Sequence, residues 1–483
     1  MAHRGGVNRA DSNPLPASNG WHIACSTGCV NRSAVALLLA AIVGLASVAE
    51  AGSGTRTRTR AAGVRERRPD RLDRLFVRRG VVDLHADTAL HGMDLPGDGR
   101  PGRAMRAFMR LLKGAGVVQP KLKNFTRHVT AESLARQGGG VQVFSAVTRG
   151  LAPAYRVSAR LFTRWFSRYP RRATRSDVTL WLEQAAWVYR QVEHNPDLLA
   201  LTPDLRSTVK AVEGGRVGAQ LAVEGGFPFE ESRRNRRALR RFFADPKLEL
   251  PADFPRPTAE ELDSGSLLPY ARRLGVQYIG LNHLASSCFS GSELRPNRRR
   301  GKGLSRLGRR FVTDAWNAGI MIDLAHASRQ AQRDVVEMVA AAEQPLPLLV
   351  SHAVFSLDDP AGSWRTTLPE VLPAVRDTGG VVGIIGARVH LPHGGAREPG
   401  PVIADIADQI DFVRRRIGVD HIALGLDGDG FVGQAHATTG EVAEAVRAEL
   451  VARGYSRTDI GKIFGGNYLH VLARRDRLLR RRP

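Results

Sequence analysis

The stretch Val81-Val82-Asp83-Leu84-His85-Ala86-Asp87-Thr88 decides how the chain is read. A β-branched, apolar run leads into a histidine and an aspartate one residue apart. On a strand, positions i and i+2 share a face, so His85 and Asp87 can address one ion from one strand end. Imidazole nitrogen and carboxylate oxygen are both donors that zinc accepts. Taken alone, the same H-x-D also reads as a capped turn beside a partly buried histidine. The rest of the chain must supply further ligands before the metal reading holds.

The apolar run is the first of eight, at 81–84, 141–147, 217–223, 276–282, 320–325, 347–351, 381–386 and 421–426. Helical patterns separate them, among others at 305–318, 328–342, 368–378 and 403–417, with Gly319, Gly379 and Gly418 near three of the ends. Continuous apolar strands alternating with helices predict a parallel sheet covered on both faces. Eight of them predict a closed (β/α)8, TIM-like barrel. A doubly wound open sheet is the competing α/β architecture, but no glycine-rich phosphate loop follows the first run. The long connections 148–213 and 226–270 read as elaborated βα loops, the first with its Trp and Tyr residues forming local core, the second with a basic helix at 233–243.

The chain has 483 residues, 71 Lys and Arg against 47 Asp and Glu, and a formal charge of +24. The charge is mostly arginine and is concentrated at 56–79 and 474–482. No base-recognition motif or aromatic-interleaved basic segment accompanies it, which argues against specific nucleic-acid binding. It reads as solvated tails and helix faces; binding to anionic polymers is the other reading of the same charge.

The N-terminus carries an address: Arg4, Arg9 and Arg32 precede the apolar run 33–48 and the A-x-A site Ala49-Glu50-Ala51. This predicts a signal peptide over 1–51, cleavage after Ala51, and export to the periplasm or outside the cell. The run is short for a membrane span; a retained N-terminal anchor is the alternative. Residues 52–75 read as a flexible basic linker, 76–475 as the barrel, and 476–483 as a basic tail. Cys25 and Cys29 would leave with the signal, so the lone Cys288 allows no internal disulfide in the mature monomer.

In such barrels the chemistry sits at the C-terminal ends of the strands. Those ends carry His85 and Asp87 after the first run, Glu224 after the third, His283 after the fourth, His326 after the fifth, His352 after the sixth and Asp427 after the eighth. Any single buried histidine is commonly a satisfied core group. A ring of ionisable groups from separate strands is costly to bury unless metal ions neutralise it. Three histidines with two or three carboxylates exceed the needs of one tetrahedral zinc and suit two ions sharing a bridging carboxylate and a hydroxide, as in hydrolysis.

These residues, in order, resemble the membrane (renal) dipeptidases of the amidohydrolase superfamily. The resemblance runs from about 81 to 475 and rests on DLHADT at 83–88, QGGGVQVFS at 137–145, VEGG at 223–226, GVQYIGLNH at 275–283, GIMIDLAHAS at 319–328, SHA at 351–353, GVDHIALGLDGDG at 418–430 and GGNYLHVL at 465–472. It implies a metalloprotease, a zinc-dependent dipeptidase with two Zn2+ ions. His85 and Asp87 would hold one ion, His326 and His352 the other, and Glu224 would bridge both. A bridging hydroxide would attack the peptide carbonyl, His283 would stabilise the oxyanion, and Asp427 would shuttle the proton to the leaving amine. Arg365 would hold the substrate's carboxylate, with Arg388 as competing candidate. The implied partner is a dipeptide, and a homodimer is left open.

The chain departs from the family's wording at 284–289, in a longer 226–270 connection, and at Gln409, where a histidine is expected; all three concern pocket walls. Rival functions are another binuclear amidohydrolase acting on a lactam, an N-acyl amino acid or a phosphoester, and a non-catalytic basic binding protein on the same barrel. Asp83 and Asp323, shortly ahead of ligands on their strands, are expected to support them, and His421 to be structural.

Overall fold

The structure is a computed structural model, which describes residues 66–89, 129, 131–148, 176–263, 266–292, 301–357, 366–387, 390–391, 403–430 and 438–481. The expected signal peptide, most of the linker, Arg365 and Arg388 lie outside the described residues. No described helix is long and apolar enough to cross a membrane.

Nine parallel strands follow one another along the chain: β1 (Val81–Ala86), β2 (Gly140–Val147), β3 (Leu199–Leu201), β4 (Val217–Glu224), β5 (Val276–Gly280), β6 (Met321–Asp323), β7 (Leu349–Ala353), β8 (Val381–Ile385) and β9 (Ile422–Gly425). Every residue of β1, β2 and β4 to β9 is buried, as expected of runs covered on both faces. Neighbours pair in the order β2-β1-β9-β8-β7-β6-β5-β4, and β2 pairs with β4 from Gly140↔Val217 to Val147↔Glu224. That last ladder closes the sheet, so the eight predicted runs form the (β/α)8 barrel.

The ninth strand was not anticipated. β3 borders only the lower part of β4, Leu199↔Val217 to Leu201↔Ala219, whereas β5 takes the upper part of that edge at Leu221–Val223. Three residues carry no periodic signal, and β3 exists because the closing barrel leaves β4 one stretch of unpaired edge.

The helices start where capping predicts. Ser305 and Ser328 accept backbone N–H groups from Gly308 and Ala331 and open Arg306–Asn317 and Arg329–Ala341. Gly319, Gly379 and Gly418 all have positive φ just past their helices. Inside the barrel the backbones close in: a Cβ on Gly425 of β9 would lie 1.7 Å from the Ser351 carbonyl oxygen of β7, so only glycine fits there.

The two long connections build a satellite core. The helix Asp177–His194 packs Trp181 against Phe229 and edge-on to Tyr270, with ring centroids 5.1 and 6.0 Å apart. Helix Arg233–Phe243 turns Leu239 and Phe242 inward and its arginines outward. Residues 66–75, which composition assigns to the linker, carry the short helix Arg71–Arg74 against the barrel's lower end. Ion pairs and one contact distant in sequence hold them: Arg67 grips buried Asp73 through two bonds of 2.6 and 2.8 Å, and Lys462, paired with Asp420 at 2.7 Å, donates to the Arg67 carbonyl 395 positions away. The helix Asn467–Arg480 extends the ordered chain into the stretch read as tail.

Candidate metal centre

The upper end of the barrel gathers every strand-end residue singled out above that lies among the described residues. Glu224 is their centre. Its Oε1 lies 2.9 Å from His326 Nε2, 3.5 Å from His352 Nε2 and 3.7 Å from His85 Nε2, and its Oε2 lies 3.6 Å from His283 Nε2. His85 Nε2 stands 3.3 Å from Asp87 Oδ1 and 3.9 Å from Asp427 Oδ1. His326 and His352 bring their Nε2 atoms to 3.0 Å.

The strand ends are bent to make this convergence. His326, Asp427 and Asp429 are the non-glycine residues with left-handed backbones among those described, φ 61°, 60° and 62°. Such strain persists where the surroundings impose it, and it collects at functional sites. Asn282 helps hold it, donating to the carbonyls of His326 (2.8 Å) and His283 (3.0 Å). Gly225, φ 91°, turns the chain directly after Glu224; a Cβ there would meet the Phe227 ring at 2.8 Å. The ends of β1 and β9 are laced together, Asp427 N–H donating to His85 O (3.1 Å) and Asp87 N–H to Gly428 O (2.9 Å).

Two buried carboxylates sit beneath the site. Asp83 Oδ1 accepts the N–H groups of His85 (3.2 Å) and Leu426 (2.8 Å), tying β1 to β9. Asp323 does the same between β6 and β7, its Oδ1 accepting from Ala325 N (3.0 Å) and Ser351 N (2.8 Å). Burial raises both carboxyls, Asp83 to about 6, against the pull of those donors. The expectation that they support the ligands therefore has a geometry. His421 is structural as expected, its Nδ1 2.9 Å from the Gly380 carbonyl oxygen.

The electrostatics are those of a site built around positive charge. Burial disfavours a charged His85, yet Glu224, Asp87 and Asp427 outweigh it and push its pKa up to about 10. Burial and the charge of Glu224 raise Asp87. Burial also works against the Glu224 carboxylate, but His283, His85 and His326 hold it well below the usual range. Both ring nitrogens of His85, Asp87 Oδ1 and Glu224 Oε2 are buried without a hydrogen-bond partner. Buried polar atoms are rarely left so, and His85 Nε2, Asp87 Oδ1 and Glu224 Oε2 point into the cluster. Ligand atoms of His85, Asp87 and Glu224 lie within 4.8 Å of one another, as do those of Glu224, His326 and His352, and of His85, His352 and Asp427. The nitrogen and oxygen donor set fits zinc, and Glu224 belongs to both of the first two groups.

Sequence reasoning missed one residue at the site. Ser351 Oγ lies 2.7 Å from His352 Nδ1 and donates to Asp323 Oδ2 at 2.6 Å. Neighbours on a strand point to opposite faces, so nothing in the sequence marked Ser351 as a partner of His352. Gln409, the noted departure, is fully buried; its Oε1 accepts Phe355 N–H (2.8 Å) and its Nε2 donates to Phe355 O (3.0 Å), pinning the chain that leaves β7.

The chain is similar to known dipeptidases. Residues 258–481 match the membrane dipeptidases, peptidase family M19. The resemblance read from the sequence is therefore present, and His283, His326, His352 and Asp427 fall inside the matched segment. Dipeptidase aclJ of Aspergillus oryzae is 30% identical over 214 residues, 43% of this chain and 47% of that protein. Dipeptidase verJ of Clonostachys rogersoniana is 31% identical over 202 residues, 41% of this chain and 48% of that protein. The matched stretches thus span about half the length of these relatives. A metallopeptidase of Rhodobacter sphaeroides, solved with a phosphinate mimic of L-Ala-D-Ala, shares the fold with a TM-score of 0.56 at 18% identity, covering 82% of this chain and 99% of that one.

Proposed function

We propose that the chain is a zinc-dependent dipeptidase that is exported and holds two zinc ions at the barrel mouth. One observation carries this reading: a single buried carboxylate, Glu224, has four imidazoles within 3.7 Å, with Asp87 and Asp427 beside the first of them. His85 and Asp87 would hold one ion and His326 and His352 the other, with Glu224 placed to serve both. Bound zinc supplies a Lewis acid for the carbonyl and a nucleophilic water at neutral pH.

The chain's own groups do the rest. Asp427, fixed by its strained backbone beside His85, accepts the proton of the attacking water and returns it to the leaving amine. His283, on the Glu224 Oε2 side, donates to the oxyanion that develops on the carbonyl oxygen. Arg365 binds the substrate's α-carboxylate through a bidentate pair. The dipeptidase relatives favour a peptide bond over a lactam, N-acyl or phosphoester bond as the substrate.

A panel of dipeptides and their C-terminal amides tests the substrate class. Hydrolysis confined to dipeptides with a free α-carboxylate supports a dipeptidase. Equal turnover of the amides, or turnover only of lactams or phosphoesters, points to the rival amidohydrolase.

A further inference from the structure

We propose that Asp323 and Ser351 are positioning residues that set the tautomer of His352 and so control the affinity of one of the two zinc ions; this rests on the metal reading above. Asp323, as a carboxylate, has only acceptors, and three donors reach it: Ala325 N–H at 3.0 Å, Ser351 N–H at 2.8 Å and the Ser351 hydroxyl at 2.6 Å. A serine hydroxyl carries one proton. Once that proton is given to Asp323 Oδ2, Ser351 Oγ can only accept from His352 Nδ1, 2.7 Å away. Nδ1 therefore carries the ring proton, and Nε2 is left unprotonated, with its lone pair as an acceptor or donor to a metal.

That lone pair is where it is needed. His352 Nε2 lies 3.5 Å from Glu224 Oε1 and 3.0 Å from His326 Nε2, inside one of the candidate ligand groups. Tyr278 also makes a side-chain hydrogen bond with Ser351, and since its own hydroxyl proton goes to the Leu84 carbonyl it competes with Asp323 Oδ2 only as an acceptor of the serine proton; the 2.6 Å bond to the carboxylate is the stronger of the two, and with either acceptor Ser351 Oγ is left to accept from Nδ1. All members are buried, which keeps water from substituting for the relay. His85 differs: its Nδ1 has no hydrogen-bond partner, so no equivalent relay fixes its tautomer among the described residues. Partners of this kind behind a metal-bound histidine typically change affinity about 10–100-fold when removed.

The test is a chelator-competition titration of zinc on the full chain and its variants, with far-UV circular dichroism of each metal-free form to verify folding. Ser351→Ala should weaken one ion by about tenfold or more and leave the other near its wild-type affinity. Ser351→Thr keeps the hydroxyl and should restore binding. Asp323→Asn should weaken the same ion further, because its amide donates to Ser351 Oγ, turns the hydroxyl proton toward Nδ1 and forces the ring proton onto Nε2. Nitrogen-15 spectra of labelled histidine should then report an Nε2–H tautomer for one ring in Asp323→Asn and an Nδ1–H tautomer for it in the wild type. Two wild-type affinities in both Ser351→Ala and Asp323→Asn would overturn the proposal. Equal weakening by Ser351→Thr and Ser351→Ala would also overturn it, since packing and not the hydroxyl would then be at work. A wild-type chain that binds no zinc defeats the metal reading itself, an outcome distinct from either.

Discussion

Asp427 shows what a single residue contributes to the site. It stands 3.9 Å from His85 Nε2 on a left-handed backbone, yet it lies outside the two ligand groups that share Glu224. Its proposed task is proton transfer, so Asp427→Asn should keep both metals and lose turnover by about 10²–10⁴-fold. Metal analysis beside steady-state kinetics checks this; full activity in the variant would remove Asp427 from the mechanism. The candidate ligand residues are legible in the sequence because six of the eight apolar runs end abruptly in a histidine or carboxylate, and barrel topology then places those ends together. Ser351 was not legible, because its role depends on a rotamer that curls along the strand toward its own neighbour. Gln409 was legible only as a departure, and its two hydrogen bonds to Phe355 come from a contact 54 positions apart in the chain.

At the scale of elements, the strand-to-loop corner after β4 is where sequence and site are most tightly joined. Gly225 takes φ 91° and abuts the Phe227 ring, which lets Glu224 end the strand facing the histidines. Gly225→Ala should destabilise the metal-free protein by about 1–2 kcal/mol from the left-handed backbone alone, with the ring contact adding to it. A denaturant midpoint equal to wild type would contradict this account of the corner.

The helix Leu205–Glu213 offers a test with a pH signature. Burial works against the Asp204 carboxylate, but the Ser207 amide and hydroxyl hold it below its usual pKa as the N-cap. A folded pKa below the unfolded one means the stabilisation is complete above the unfolded value, about 4, and is lost as pH falls through the folded value. Asp204→Ala should therefore cost about 1 kcal/mol at pH 7, and the gap to wild type should narrow in acid. Melting curves at several pH values check this, and a gap that widens in acid would contradict it. The capping signals and the eight strands were readable because they are local patterns. β3 was not, since only closure of the barrel creates its partner edge.

Over the whole molecule, the barrel was readable from the period of its apolar runs, while the lower end was not. Residues 66–75 look like linker because they are charged, and they fold because Arg67, Asp73, Lys462 and Asp420 find one another across nearly 400 positions. The +24 charge that dominates the composition plays no part in the centre, where carboxylates and imidazoles balance. The central claim is that this balance is completed by zinc. The most direct measurement is elemental analysis of the purified chain, paired with dipeptide hydrolysis before and after chelation. The account predicts about two zinc ions per chain, loss of hydrolysis when they are stripped, and recovery on zinc addition. A chain that hydrolyses dipeptides at full rate without metal, or that takes up no zinc, would contradict it.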